Sequence, residues 1–195
     1  MATDLEQALW ALEEALEGVV SFVRASSYGL RLAAKRLGDL ESASAGPPPA
    51  AAEMARLAEA VEQAEDHLSD VTVLALGDHF RAFLARALEL PTLPPLPSAV
   101  ADLEALPGTP GALAKVSLWV PLLLQLYRVA LRGGRLDRRA LEALGISQLE
   151  LPFPGGKVKM FRQGDHVALS ERQLEEAAHA LLDAARAIRL RLETA

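Results

Sequence analysis

Apolar residues at Leu5, Leu9, Leu12, Leu16, Val19 and Val23 recur in steps of four and three. That spacing keeps them on one side of a helix and predicts a long amphipathic helix over 1–44. Thr3 or Asp4 serves as its cap, and Lys35 and Arg36 near its far end suit the helix dipole. A proline-rich linker is expected over 45–52, because each proline of AGPPPA removes a backbone donor and disfavours helical backbone in the residue before it. The pattern resumes with Met54, Leu57, Val61, Ala64, Leu68, Val71 and Ala75. A second helix over 53–90 then packs antiparallel on the first as a helical hairpin. Near Gly77 the stripe moves to Leu76, Phe80, Phe83, Ala87 and Leu90, which predicts a kink or a change of packing partner.

Pro91 stops that helix, and 91–109 reads as a proline-rich loop with at most one short helical piece around Ala99 to Leu106. Thr109 and Pro110 resemble a cap and first turn, opening a central helix over 110–132 that kinks or restarts at Pro121. Its run SLWVPLLLQLY is apolar on nearly every side, so it belongs in the middle of the fold. After Gly133 and Gly134, Asp137 caps a short helix over 138–144 that Gly145 closes. Over 148–169 the period drops to two. Leu149, Leu151 and Phe153 alternate with polar residues, Pro154-Gly155-Gly156 turns the chain, and Lys157–Phe161 is expected to face Val167–Leu169 across Gln163-Gly164-Asp165. Ser170 and Gln173 form a capping box for a last helix over 170–193, with the stripe Leu174, Ala178, Leu181, Ala185, Ile188 and Leu192. The expected fold class is therefore mainly all-α. One domain spans 1–195, an antiparallel helical bundle with a long N-terminal helical hairpin and a small β-hairpin before the last helix.

A chain of 195 residues suffices for one sizeable core, and nothing in it demands a second domain. Cysteine is absent, which excludes disulfides, thiolate metal sites and thiol catalysis and suits a reducing cytosol. A formal charge of -6 argues against a general nucleic-acid binder held by phosphate contacts. The most apolar run, Val116 to Leu131, is broken by Pro121, Gln125 and Arg128 and is shorter than the roughly 20 residues of a membrane span. No basic segment precedes the apolar positions at the N-terminus, so no signal peptide is visible. A cytoplasmic protein without membrane contact is expected, with no metal and no cofactor.

Candidate chemistry is sparse. Arg128, Arg132, Arg135, Arg138 and Arg139 form the one electropositive cluster in an acidic chain. It suits RNA or an acidic protein partner, or it neutralises carbonyls at a helix end. His79 lies in GDHFRAF between Asp78 and Arg81, where a cleft would allow acid–base work. Arg172 and His179 lie two turns apart on the last helix, the spacing of a solvent-facing pair. His67 with Glu62, Glu65 and Asp66 reads as a solvated face rather than a metal site. Gly133-Gly134 reads as a helix cap rather than a phosphate cradle, since no strand precedes it. Trp10 and Trp119 suit packing or an interface better than base stacking.

The order of FRAFLARAL (Phe80 to Leu88), YRVALRGGRLDRRALEALG (Tyr127 to Gly145) and GDHVALS (Gly164 to Ser170) before a capped last helix resembles bacterial HEPN-domain proteins. The resemblance covers about the last two-thirds of the chain. It implies an all-α bundle that usually dimerises, and many such proteins are metal-independent ribonucleases of toxin or phage-defence systems. Active relatives carry an Arg followed four to six residues later by a His before a Gly-rich turn, two such pairs meeting across the dimer. Arg128 matches that Arg, but the position of the His falls on Leu131, which transfers no proton. The acidic residue of the earlier helix falls on Arg81 or Asp78. The resemblance therefore implies a degenerate HEPN domain. It would be a non-catalytic interaction protein, a homodimer or the partner of another protein, acting as regulator or subunit of a defence or toxin–antitoxin assembly. The alternative is a metal-independent ribonuclease with displaced residues such as His79 or His179 with arginines contributed by a second chain, Arg128 and Arg172 being the candidates.

Overall fold

A computed structural model describes residues 2–43, 48–104, 119–153 and 157–194. The elements run α1 (Ala2–Ala43), α2 (Pro48–Ala87), α3 (Leu96–Glu104), α4 (Trp119–Ala130), α5 (Arg138–Leu144), β1 (Leu149–Phe153), β2 (Lys157–Phe161) and α6 (Glu171–Thr194). The fold is thus mainly all-α with one small β-hairpin. No described helix is long and apolar enough to cross a membrane.

The core forms where α4 meets the second half of α2 and the face of α6. From α4 it takes Val120, Leu123, Leu126, Tyr127, Val129 and Ala130, and from α2 Leu76, Phe80, Phe83 and Leu84. Phe80 and Phe83 stack with ring centroids 6.2 Å apart. Ala177, Ala178, Ala184 and Ala185 of α6 are buried, and their small side chains let the helix lie close to its neighbours. Ser170 and Gln173 close the expected capping box: Ser170 N–H donates to Gln173 Oε1 at 3.0 Å and Gln173 N–H to Ser170 Oγ at 3.4 Å. Leu9, Leu12, Leu16 and Val23 of α1 complete the core, and exposed pairs Glu13–Arg186 and Arg31–Glu171, both at 2.7 Å, flank the α1–α6 contact.

Several boundaries differ from expectation for definite reasons. Residues 48–52, read as linker, belong to α2, whose first turn holds Pro48 and Pro49; the first N–H groups of a helix lack intrahelical partners, so proline is tolerated there. α2 is one unbroken helix through Gly77 and ends at Ala87 rather than 90, where Glu89 turns the chain with φ 53°. The stripe moves near Gly77, beyond which α2 buries Leu76, Phe80, Phe83 and Leu84 in the central core. Within the expected loop over 91–109, Leu96–Glu104 is helical and buries Leu96, Ala99 and Leu103. The start expected for the central helix at Thr109 and Pro110 lies outside the described residues, as does the Pro154–Gly156 turn. β1 pairs antiparallel with β2, Leu149 opposite Phe161, whereas Val167–Leu169 forms no strand and bonds instead to Gly134 and Ser69, next to an isolated bridge of Arg135 with His166.

One feature of the hairpin stands apart from the core. From residue 24 of α1 and up to residue 68 of α2, no described residue is buried. Residues 24–31 of α1 and 65–68 of α2 still meet the bundle, through Arg24–Glu175, Arg31–Glu171 and Asp66–His166.

Candidate functional site

The predicted basic cluster sits where α4 ends. Gly133 N–H donates to Ala130 O at 3.0 Å and Gly134 N–H to Val129 O at 3.2 Å, with φ 77° and 71°. Those donors are consumed in capping α4, so the Gly-Gly turn is a helix cap and not a phosphate cradle. Asp137 then caps α5 through the Ala140 N–H, Gly145 closes it at φ 67°, and α5 folds back on the end of α4. Between the two helices lies a pocket of about 400 Å³ lined by Arg128, Val129, Leu131, Arg132, Ala140 and Leu144. Arg132 stands 3.8 Å from Asp137, and Arg138 pairs with Glu142 at 2.8 Å. Arg128, Arg135 and Arg139 are exposed and have no ion pair among the described residues. Of the five arginines only Arg128 and Arg132 line the pocket, while Arg135 is held at its backbone bridge to His166.

None of the histidines lines this pocket. His79 is exposed on α2, and the residues beside it are engaged elsewhere. Asp78 accepts from the Tyr127 hydroxyl at 2.7 Å and pairs with Arg81 at 3.1 Å. His179 lines a groove between α1 and α6 with Arg24 and Arg186, whereas Arg172 is tied to Glu176 at 2.9 Å and is not part of that lining. Arg24 and Arg186 are themselves engaged by Glu175 and Glu13. His67 is exposed beside the apolar side of the helical hairpin. Among the described residues no three His, Asp or Glu side chains are arranged to hold a metal ion.

The fourth histidine makes a site that the sequence pattern did not reveal. His166 lies in the segment joining β2 to α6, its Nε2 3.2 Å from Asp70 Oδ2 and its Nδ1 3.4 Å from Asp66 Oδ1. The second approach is an electrostatic contact without hydrogen-bond alignment. Around it, Leu169 N–H donates to Ser69 Oγ at 2.8 Å and Val167 N–H to Gly134 O at 2.9 Å. Burial pushes the Asp70 carboxyl above the ordinary aspartate range, opposed by the pull of His166. The available signal was the i, i+4 spacing of Asp66 and Asp70, which puts two carboxylates on one helix face. What they meet lies about a hundred residues away in sequence, so spacing alone names no partner.

No family model, curated protein or solved structure matches the chain. The chemistry open to it therefore follows from these arrangements. His166 is held between two carboxylates and fastens a strap across α2, a positioning role. Among its described lining residues, the α4–α5 pocket joins two guanidinium groups to an apolar wall.

The Tyr127–Asp78 bond gives a direct pH test. Burial and the Asp78 hydrogen bond raise the Tyr127 pKa from its ordinary value of 10.0. A phenol with a raised folded pKa stabilises the fold fully below the unfolded value and loses that contribution as pH rises through the folded one. The chain has two tyrosines, so a Tyr28→Phe background leaves Tyr127 as the one phenol. In that background Asp78→Ala should bring the rise of phenolate absorbance to lower pH, because the carboxylate that holds the hydroxyl is gone. An unchanged midpoint contradicts the assignment.

Proposed function

We propose that this chain is a non-catalytic, HEPN-like helical interaction protein that binds an acidic protein partner through the α4–α5 pocket, as a regulator or subunit of a bacterial defence or toxin–antitoxin assembly. The observation that carries this reading is the composition of the pocket: Arg128 and Arg132 at the rim, Val129, Leu131, Ala140 and Leu144 along the wall, and no histidine. Leu131 stands where the resemblance expects the catalytic His, and it is 61% exposed. An exposed leucine beside two arginines suits an acidic segment carrying an apolar side chain. A phosphodiester backbone would engage the arginines and leave the apolar wall uncovered.

A second reading, a metal-independent ribonuclease, has one observation in its favour, the presence of His179 with Arg24 and Arg186 in a single groove. Both arginines are occupied by carboxylates, which weakens it. The test uses fluorescence anisotropy with two labelled probes of equal charge, an Asp/Glu-rich peptide containing leucine and a single-stranded RNA. The peptide should bind more tightly, and Arg128→Glu or Leu131→Asp should weaken it at least tenfold. Tighter RNA binding, or peptide binding indifferent to both substitutions, would overturn the proposal.

A further inference from the structure

Both ring nitrogens of His166 face carboxylate oxygens of α2, Nε2 at 3.2 Å from Asp70 Oδ2 and Nδ1 at 3.4 Å from Asp66 Oδ1. A neutral imidazole carries one N–H, so in either tautomer its other nitrogen turns a lone pair toward an anion. Only the imidazolium offers a proton to each. Burial sharpens the difference, since the His166 side chain is 16% exposed, that of Asp70 is 11% exposed, and Nδ1 is buried without a hydrogen-bond partner. Beside an uncharged ring, the Asp70 carboxylate lacks the countercharge that offsets its lost hydration.

The other charged groups around the ring are exposed or engaged. On α2, His67 acts on Asp70 but is itself exposed. In the segment that carries His166, Asp165 accepts from the Arg162 N–H at 2.7 Å, and the Arg162 side chain is exposed. The turn after α4 approaches with Gly134, which has no side chain, and with the backbone of Arg135, whose side chain is exposed. In the groove beside Asp66, Arg31 of α1 pairs with Glu171 of α6, and Glu65 adds a further negative charge. The segment held down by the ring is joined in turn to residues 134–136. Leu136 N–H donates to Asp165 O at 3.0 Å, Gly164 N–H to Leu136 O at 2.8 Å and Val167 N–H to Gly134 O at 2.9 Å. The next residue, Asp137, caps α5, which supplies Ala140 and Leu144 to the wall of the pocket at Arg128.

We propose that His166 is a pH-operated latch: its imidazolium form holds the strap on α2, and loss of the proton frees the strap and with it the turn that seats α5 against α4. As pH rises from about 5.5 to about 8, the span in which imidazoles change charge, the latch passes from closed to loose. Burial raises the Asp70 pKa, so stronger acid removes the other half of the pair. A ligand of the α4–α5 pocket is therefore held most firmly in mild acid. That consequence rests on the pocket being a binding site; the latch itself does not, and its test uses the chain alone.

Amide hydrogen exchange, followed residue by residue by NMR and corrected for its intrinsic pH dependence, reads the latch directly. Between about pH 5.5 and about 8, protection of the Leu136, Ala140, Gly164 and Val167 N–H groups should fall roughly tenfold or more, while Leu126 and Val129 of α4 keep theirs. Asp66→Asn changes a side chain that is 40% exposed, and its carboxamide can donate to Nδ1 of a neutral ring, so this variant should fold and lose most of the pH dependence. His166→Gln should show equal protection at both pH values, and His79→Gln and His179→Gln should keep the wild-type fall. Protection that does not change with pH in the wild type, a fall undiminished in Asp66→Asn or His166→Gln, or a fall abolished by His67→Gln would each overturn the proposal.

Discussion

Gly134→Ala is expected to destabilise the protein by about 2–5 kcal/mol, and Gly133→Ala by about 1–2 kcal/mol. The two glycines are adjacent and have similar left-handed backbone, φ 77° and 71°. Each alanine therefore meets the same conformational penalty, about 1–2 kcal/mol for an L-residue in that region. Their surroundings differ. A Cβ on Gly133 meets nothing within 4 Å, whereas one on Gly134 collides with His166 Nε2 and both carboxylate oxygens of Asp70. Those atoms belong to the clasp that fastens the strap on α2, so relief of the clash separates a buried carboxylate from its imidazole. Leaving such a group without its partner costs a further 1–3 kcal/mol or so. Urea unfolding checks this through the midpoints of both variants at constant slope. Equal midpoint shifts would show that His166 and Asp70 do not close on the turn.

Gly77→Ala should destabilise by up to about 2 kcal/mol, and Gly77→Leu by more, against the expectation from helix propensity. Gly77 lies inside α2, where alanine alone would gain about 1 kcal/mol. At this position the ring of Tyr127 lies flush on the helix backbone: an added Cβ would stand 2.6 Å from Cε2 and 3.1 Å from Cγ, with Cδ2 nearer still. The ring cannot simply move aside, because its hydroxyl is held by Asp78 and its body is buried. Overpacking in such a place costs about 1–3 kcal/mol for one carbon, and a branched side chain leaves no accommodation. Gly18 and Gly38, helical with nothing within 4 Å of an added Cβ, provide the contrast. Alanine at either should stabilise by up to about 1 kcal/mol. Thermal unfolding of the three alanine variants compares them directly, and a stabilised Gly77→Ala would refute the close approach of α2 and α4.

The bundle was legible because its determinants are local. The alternation of fours and threes from Leu5 to Val23, the Ser170–Gln173 box and the Asp137–Gly145 caps each lie within a few turns of chain, and each recurs in the structure. Boundaries went astray where proline was taken as a breaker without regard to position, as at Pro48 and Pro49 in the first turn of α2. The strand expected at Val167–Leu169 failed for a different reason. Its alternation is real, but the backbone donors of that segment go to Gly134 and Ser69. At the site, Arg128 and Arg132 could be placed together because one helix turn separates them, and the apolar wall supplied by Leu144 emerges only when α5 folds back. His166 was unreadable as a member of a cluster, since its carboxylates lie on a helix far away in sequence.

The most direct test of a binding rather than catalytic role is RNA cleavage by the purified full chain in the presence of a chelator, with Arg128→Ala, His79→Ala and His179→Ala compared at matched helicity. A pocket of two arginines and an apolar wall predicts intact RNA for the wild type and all three variants at every protein concentration. Cleavage by the wild type that disappears in one well-folded variant would contradict the account and name the residue that carries the reaction.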